Sequence, residues 1–108
     1  MPGDIRLTLP TATVLAGIDC GLRYGFDLID ASGLRAGTVY PILRRLEEAG
    51  MIVGAWEAVS RSRAEGRPPR RYYRLTSAGE TKLAEALSRY PGVARTFEKG
   101  GSGRRAEA

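Results

Sequence analysis

The stretch Thr38-Val39-Tyr40-Pro41-Ile42-Leu43-Arg44-Arg45-Leu46-Glu47-Glu48-Ala49-Gly50 carries the strongest structural signal in the chain. Val39, Ile42, Leu43 and Leu46 recur at steps of three and four, so a helix here presents one apolar stripe. Proline has no N–H to give, which is harmless only in the first turn of a helix. With Thr38 as N-cap, Pro41 takes the third helical position and no bond is lost, and Gly50 closes the helix. At about 100° per residue, Gly37, Pro41, Arg44 and Glu48 point away from Val39, with Thr38, Tyr40 and Arg45 flanking them. An outer face that begins with glycine and proline is nearly flat, so the helix N-terminus and its backbone amides can approach a phosphate closely.

Working outward toward the C-terminus, Met51-Ile52-Val53-Gly54-Ala55-Trp56 is apolar and β-prone, and Arg71-Tyr72-Tyr73-Arg74-Leu75 alternates polar and apolar. Residues 57–70 read as a long hairpin tip bearing Arg61, Arg63, Arg67 and Arg70, with Gly66 and Pro68-Pro69 stiffening its return. A last helix starts at Ser77, in capping-box relation to Glu80, carries Leu83, Leu87 and Tyr90, and stops at Pro91. Val93 and Phe97 are placed to dock back, and residues 98–108 have the composition of a flexible tail.

Toward the N-terminus, Tyr24 to Ala31 fits a short helix stopped by Ser32-Gly33. Leu9 to Cys20 fits another, with Val14, Leu15, Ile18 and Leu22 as its stripe, Thr8 or Thr11 as cap and Gly21 as stop. Residues 1–8 read as an arm. The order helix, helix, helix, strand, basic loop, strand, helix is mainly α with a two-stranded wing, an α+β winged helix-turn-helix over residues 9–90. Its C-terminal helix covers about residues 78–90, and residues 91–108 form a short extension, flexible from 98.

Composition narrows the function. The 108 residues suit one domain with a modest core, and no apolar run approaches the roughly 20 residues of a membrane span. The first residues lack the apolar region of a secretory signal, so a cytoplasmic protein with no membrane partner is expected. Histidine is absent, which removes the commonest general base and metal ligand, and Cys20 is a lone thiol in an apolar stretch. No metal, no cofactor and no catalytic constellation is expected, hence no enzyme. The net charge of +5 favours a polyanionic partner. Fifteen of the 17 basic residues are arginine, a ratio that GC-rich codon usage also produces, so placement counts for more than number.

Placement favours DNA. In a winged helix the third helix enters the major groove and the wing follows the neighbouring backbone or minor groove. Arg44 can reach a guanine edge or a backbone oxygen, and Tyr40 a phosphate or a thymine methyl. The loop arginines supply the sequence-independent, salt-sensitive part of binding. Arg44, Arg45, Glu47 and Glu48 also describe an ordinary solvated helix face. Two further readings stay open: a winged-helix protein–protein module whose basic wing docks on an acidic partner, and a small-molecule sensor with little DNA role.

The run Tyr24-Gly25-Phe26-Asp27-Leu28-Ile29 followed by Gly37-Thr38-Val39-Tyr40-Pro41-Ile42-Leu43-Arg44-Arg45-Leu46-Glu47 resembles the phenolic-acid-decarboxylase-regulator (PadR) family. So do Gly50-Met51-Ile52, Trp56-Glu57, Gly66-Arg67-Pro68-Pro69-Arg70-Arg71-Tyr72-Tyr73-Arg74-Leu75-Thr76 and Ala78-Gly79, together spanning roughly residues 9–90. The resemblance implies a bacterial or archaeal homodimeric repressor on a palindromic operator of double-stranded DNA, often released by a small, here unidentified, aromatic effector. It assigns Tyr40, Arg44 and Arg45 to the DNA face, Gly66 to Arg71 to the wing, and Tyr73 and Leu75 to the core. With the readings above, the expected DNA-binding set is Arg35, Gly37, Thr38, Tyr40, Pro41, Arg44, Arg45, Arg61, Arg63, Arg67, Arg70 and Arg71. Family members usually dimerise through a long C-terminal helix packed on the first helix, whereas here the helix stops at Pro91. A dimer surface would then draw on Val14, Ile18, Leu83, Leu87, Tyr90 and Phe97, which read equally well as intramolecular core. Trp56, on the wing strand, reads as core and no ligand pocket follows from the sequence.

Overall fold

A computed structural model describes residues 5–97. Helix α1 (Leu9–Asp19) is apolar on every side because the rest of the chain wraps it: Thr11 through Ile18 are all buried. Its small residues let neighbours close in, since Gly17 lies under the Leu28 side chain and the Phe97 ring. The Thr8 hydroxyl accepts from the Thr11 N–H at 3.3 Å and caps the helix start. Helix α2 (Gly25–Ser32) ends at Gly33 in the left-handed conformation, and α3 (Ala36–Glu48) follows after three residues. The stripe expected for α3 is the one that forms: Val39, Ile42, Leu43 and Leu46 are at most 3% exposed. They pack with Leu15, Ile18, Leu22, Leu28 and Ile52 in one core.

The start of α3 differs from expectation. The helix begins at Ala36 with Arg35 as N-cap, and Thr38 lies inside it. Pro41 therefore sits within the helix and leaves the Gly37 carbonyl without its i+4 donor. Gly37 is exposed and has no side chain, a position where a carbonyl can be satisfied by solvent and the loss is tolerated. The early start is set by the short link, in which the Leu34 N–H donates to the Ser32 Oγ at 3.0 Å while Leu34 packs against the core.

Strands β1 (Ile52–Trp56) and β2 (Arg71–Leu75) pair antiparallel, Ile52 opposite Leu75 and Trp56 opposite Arg71. The Tyr73 N–H also donates to the Arg23 carbonyl at 2.7 Å, tying the sheet to the entry of α2. The segment between the strands is not the continuous loop expected. Val59–Ala64 forms α4, a helix without an apolar stripe, which is why periodicity missed it. Its one buried side chain, Ser62, donates to the Val59 carbonyl at 3.0 Å.

Helix α5 (Ser77–Arg89) is capped by Thr76, one residue before the expected Ser77. The Thr76 hydroxyl accepts from the Gly79 N–H at 3.1 Å and donates to the Gly50 carbonyl at 2.7 Å, joining the α5 start to the α3 end. A side chain at Gly79 would collide with the Met51 carbonyl, so position 79 must be glycine for this packing. A last turn, α6 (Val93–Thr96), seats Val93 and Phe97 in the core. The expected flexible tail from residue 98 lies outside the described residues. Three helices carrying a two-stranded wing make this a winged helix-turn-helix. Among the described residues no helix is long and apolar enough to cross a membrane.

Candidate nucleic-acid interface

The outward face of α3 is open. Arg35, Gly37, Pro41, Arg44, Arg45 and Glu48 are exposed, Tyr40 is about half exposed and Thr38 is half-buried. Among the described residues the guanidinium groups of Arg35, Arg44 and Arg45 have no carboxylate or other polar partner, and the same holds for Arg63 on α4. Tyr40 is positioned rather than loose. Its ring lies against the backbone of the buried Gly25, where a Cβ would strike it.

The wing arginines behave differently, because carboxylates meet them there. Glu57, at the exit of β1, has a side chain only 3% exposed. Arg67 grips it in a two-pronged pair, Nη1 to Oε1 at 2.7 Å and Nη2 to Oε2 at 2.8 Å, while its Nε donates to Glu65 at 2.9 Å. The Arg70 N–H donates to the same carboxylate at 3.2 Å and the Tyr72 hydroxyl at 3.4 Å. The Arg67 hydrogen bonds hold the Glu57 pKa down, from 4.5 to about 2. Burial opposes that shift, and the Arg70 amide and the charges of Arg67 and Arg70 reinforce it. Arg61 is 73% exposed and touches Glu57 only loosely, at 3.7 Å.

Arg71 bridges wing and helix. Its Nη2 donates to Glu47 of α3 at 2.6 Å, and its guanidinium carbon lies 5.5 Å from the Trp56 ring and 5.9 Å from the Tyr73 ring. Gly54 leaves the room, since a Cβ there would overlap the Arg71 guanidinium. Arg70 stacks 4.3 Å over the Tyr24 ring, which meets Tyr72 edge-on at 5.5 Å. So the eight arginines among the twelve expected DNA contacts divide into two kinds. Arg35, Arg44, Arg45, Arg61 and Arg63 point to solvent, whereas Arg67, Arg70 and Arg71 are engaged inside the protein.

Between the two elements lies a cleft of about 400 Å³, whose lining includes Tyr24, Phe26, Tyr40, Trp56, Tyr73 and both Arg70 and Arg71. Trp56, expected in the core, is 67% exposed here. It pairs with Arg71 at the end of the sheet, where β1 has left the helical layer and no core remains to cover it. The spacing of apolar residues could not reveal this cleft, because its walls come from α2, α3 and both strands.

Residues 14–85 match the family described as transcriptional regulator PadR-like. The chain belongs to the PadR-like family of transcriptional regulators. Solved structures agree on the winged-helix fold. Pex from Synechococcus sp. strain PCC 7942 is 30% identical with a TM-score of 0.60, over 78% of this chain and 80% of that one. A PadR family regulator from Eggerthella lenta DSM 2243 is 29% identical with a TM-score of 0.56, over 83% and 86%. One from Clostridium difficile R20291, 18% identical, shares the fold with a TM-score of 0.66, over 85% and 97%. No curated protein matches the chain.

Among the residues expected at a PadR-like dimer surface, Val14, Ile18, Leu83 and Phe97 are at most 7% exposed in the single chain. Val14 and Ile18 on α1, Leu83 on α5 and Phe97 after α6 belong to the chain's own core. Leu87 and Tyr90 are half-buried and retain some exposed area.

Proposed function

We propose that this PadR-like regulator binds double-stranded DNA sequence-specifically, with α3 in the major groove and the wing along the adjacent backbone. The observation that carries the reading is that the guanidinium groups of Arg35, at the N-cap of α3, and of Arg44 and Arg45 within it have no polar partner among the described residues, beside the exposed Tyr40. An unpaired arginine keeps its five donors available for a guanine edge or a phosphate. Arg61 and Arg63 on α4 extend the positive surface along the wing.

Acting as a homodimer on a palindromic operator, the protein would repress its own or a neighbouring operon. Family membership supports that reading, and Leu87 and Tyr90 are the described interface candidates with area to give. The test is selection of bound duplexes from a random pool, followed by titration of the selected sequence against scrambled DNA at rising salt. The selected duplex should bind at least a thousandfold more tightly than the scrambled one, and binding should weaken steeply with salt. Equal affinity for both sequences would sink specific regulation. A two-fold symmetric site bound by two chains supports the dimer, and an asymmetric site bound by one chain refutes it.

A further inference from the structure

Five of the chain's eight aromatic residues line the cleft between α3 and the wing. Two of them, Phe26 and Trp56, are 68% and 67% exposed, the largest exposures among the big apolar side chains. Clustered exposed rings mark a binding surface, because water penalises them individually and a partner relieves them together. The cleft is continuous with the proposed DNA face through Tyr40, which belongs to both. Arg70, stacked on Tyr24, and Arg71, paired with Glu47, also line it.

A phosphodiester offers no planar face, and bases inside a duplex expose only their edges. Aromatic rings arranged around a cleft suit a base that has left its stack, because every base has a flat face to stack on them. We infer that the cleft accepts an unstacked nucleobase of the bound DNA, so that this face distinguishes duplexes containing an unpaired base from fully paired ones. This rests on the DNA reading given above. A volume of about 400 Å³ is in the range of small-ligand sites and accommodates one base with its sugar.

Trp56 is the only tryptophan and reports on the cleft directly. The experiment compares the selected duplex with the same duplex carrying one extra unpaired adenine, following affinity and Trp56 emission together. The unpaired base should raise affinity about tenfold, as expected of one stacked base, and quench the emission. In Phe26→Ala, which loses one wall but no core contact, affinity for the paired duplex should hold while most of the gain disappears. Equal affinity of both duplexes with unchanged emission overturns the inference and leaves paired-duplex binding intact. Failure of both duplexes to bind overturns the DNA reading as well. Quenching by adenosine monophosphate or 4-hydroxybenzoate alone, with no gain from the unpaired base, reassigns the cleft to a free small molecule and also overturns it.

Discussion

Helix α3 and the wing both carry arginines, yet different forces hold them. Helix α3 is anchored by a fully apolar stripe, Val39, Ile42, Leu43 and Leu46, and its Arg44 and Arg45 have no polar partner among the described residues. The base of the wing is anchored in the core through Ile52 and Leu75, while its outer part is held largely by arginine contacts: Arg67 on Glu57, Arg71 on Glu47, Arg70 on the Tyr24 ring. An element whose shape depends on burial can offer its charges to a ligand. One whose shape depends on charge must spend some of them on itself.

The sharpest way to break the comparison is to weaken each anchor in turn. Leu43→Ala should cost about 2–5 kcal/mol of global stability in urea denaturation, as for other fully buried leucines. A loss below about 1 kcal/mol would mean that α3 is not held by its stripe. Next in size is the separation of roles on DNA. Arg44→Ala should lose about 1–3 kcal/mol of discrimination at one base pair, seen by competition binding, with little change in Tm. Arg67→Met should lower Tm and weaken all sequences alike, because it frees Glu57 and loosens the wing. Equal discrimination in both variants would erase the distinction between free and committed arginines.

A third prediction concerns pH. Glu57 is depressed from 4.5 to about 2, so its stabilising charge is fully present above pH 4.5 and is lost as pH falls toward about 2. Over that window the native protein should lose stability more steeply than Glu57→Gln in pH-dependent thermal melts, and parallel curves would remove the clamp. The smallest effect is expected at Arg63. Arg63→Ala should leave Tm unchanged and reduce the slope of log affinity against log salt by about one, if that guanidinium meets one phosphate.

Much of the fold was legible because apolar spacing is a local property. The α3 stripe, both strands and the order of elements could be read from residue periods of 3.6 and two. What failed was set by contacts between distant segments. Thr76 rather than Ser77 caps α5 because the same hydroxyl must also reach the Gly50 carbonyl. Helix α3 starts before Thr38 because Leu34 is drawn to the core, and the exposed Gly37 tolerates the missing bond at Pro41. Helix α4 had no periodic signal to read.

At the candidate interface, the sequence by itself determined which residues bring charge to which element, since the order of helices and strands follows from local pattern. The tertiary structure alone decided which charges are available. Glu57 lies ten residues from Arg67, and Glu47 lies 24 from Arg71. Only the hairpin's register and the packing of the wing beside α3 close those gaps. The same closure gathered Phe26, Tyr40 and Trp56 around one cleft. An ion pair or a ring cluster exists only where the chain returns to meet itself, and periodicity carries no record of that return.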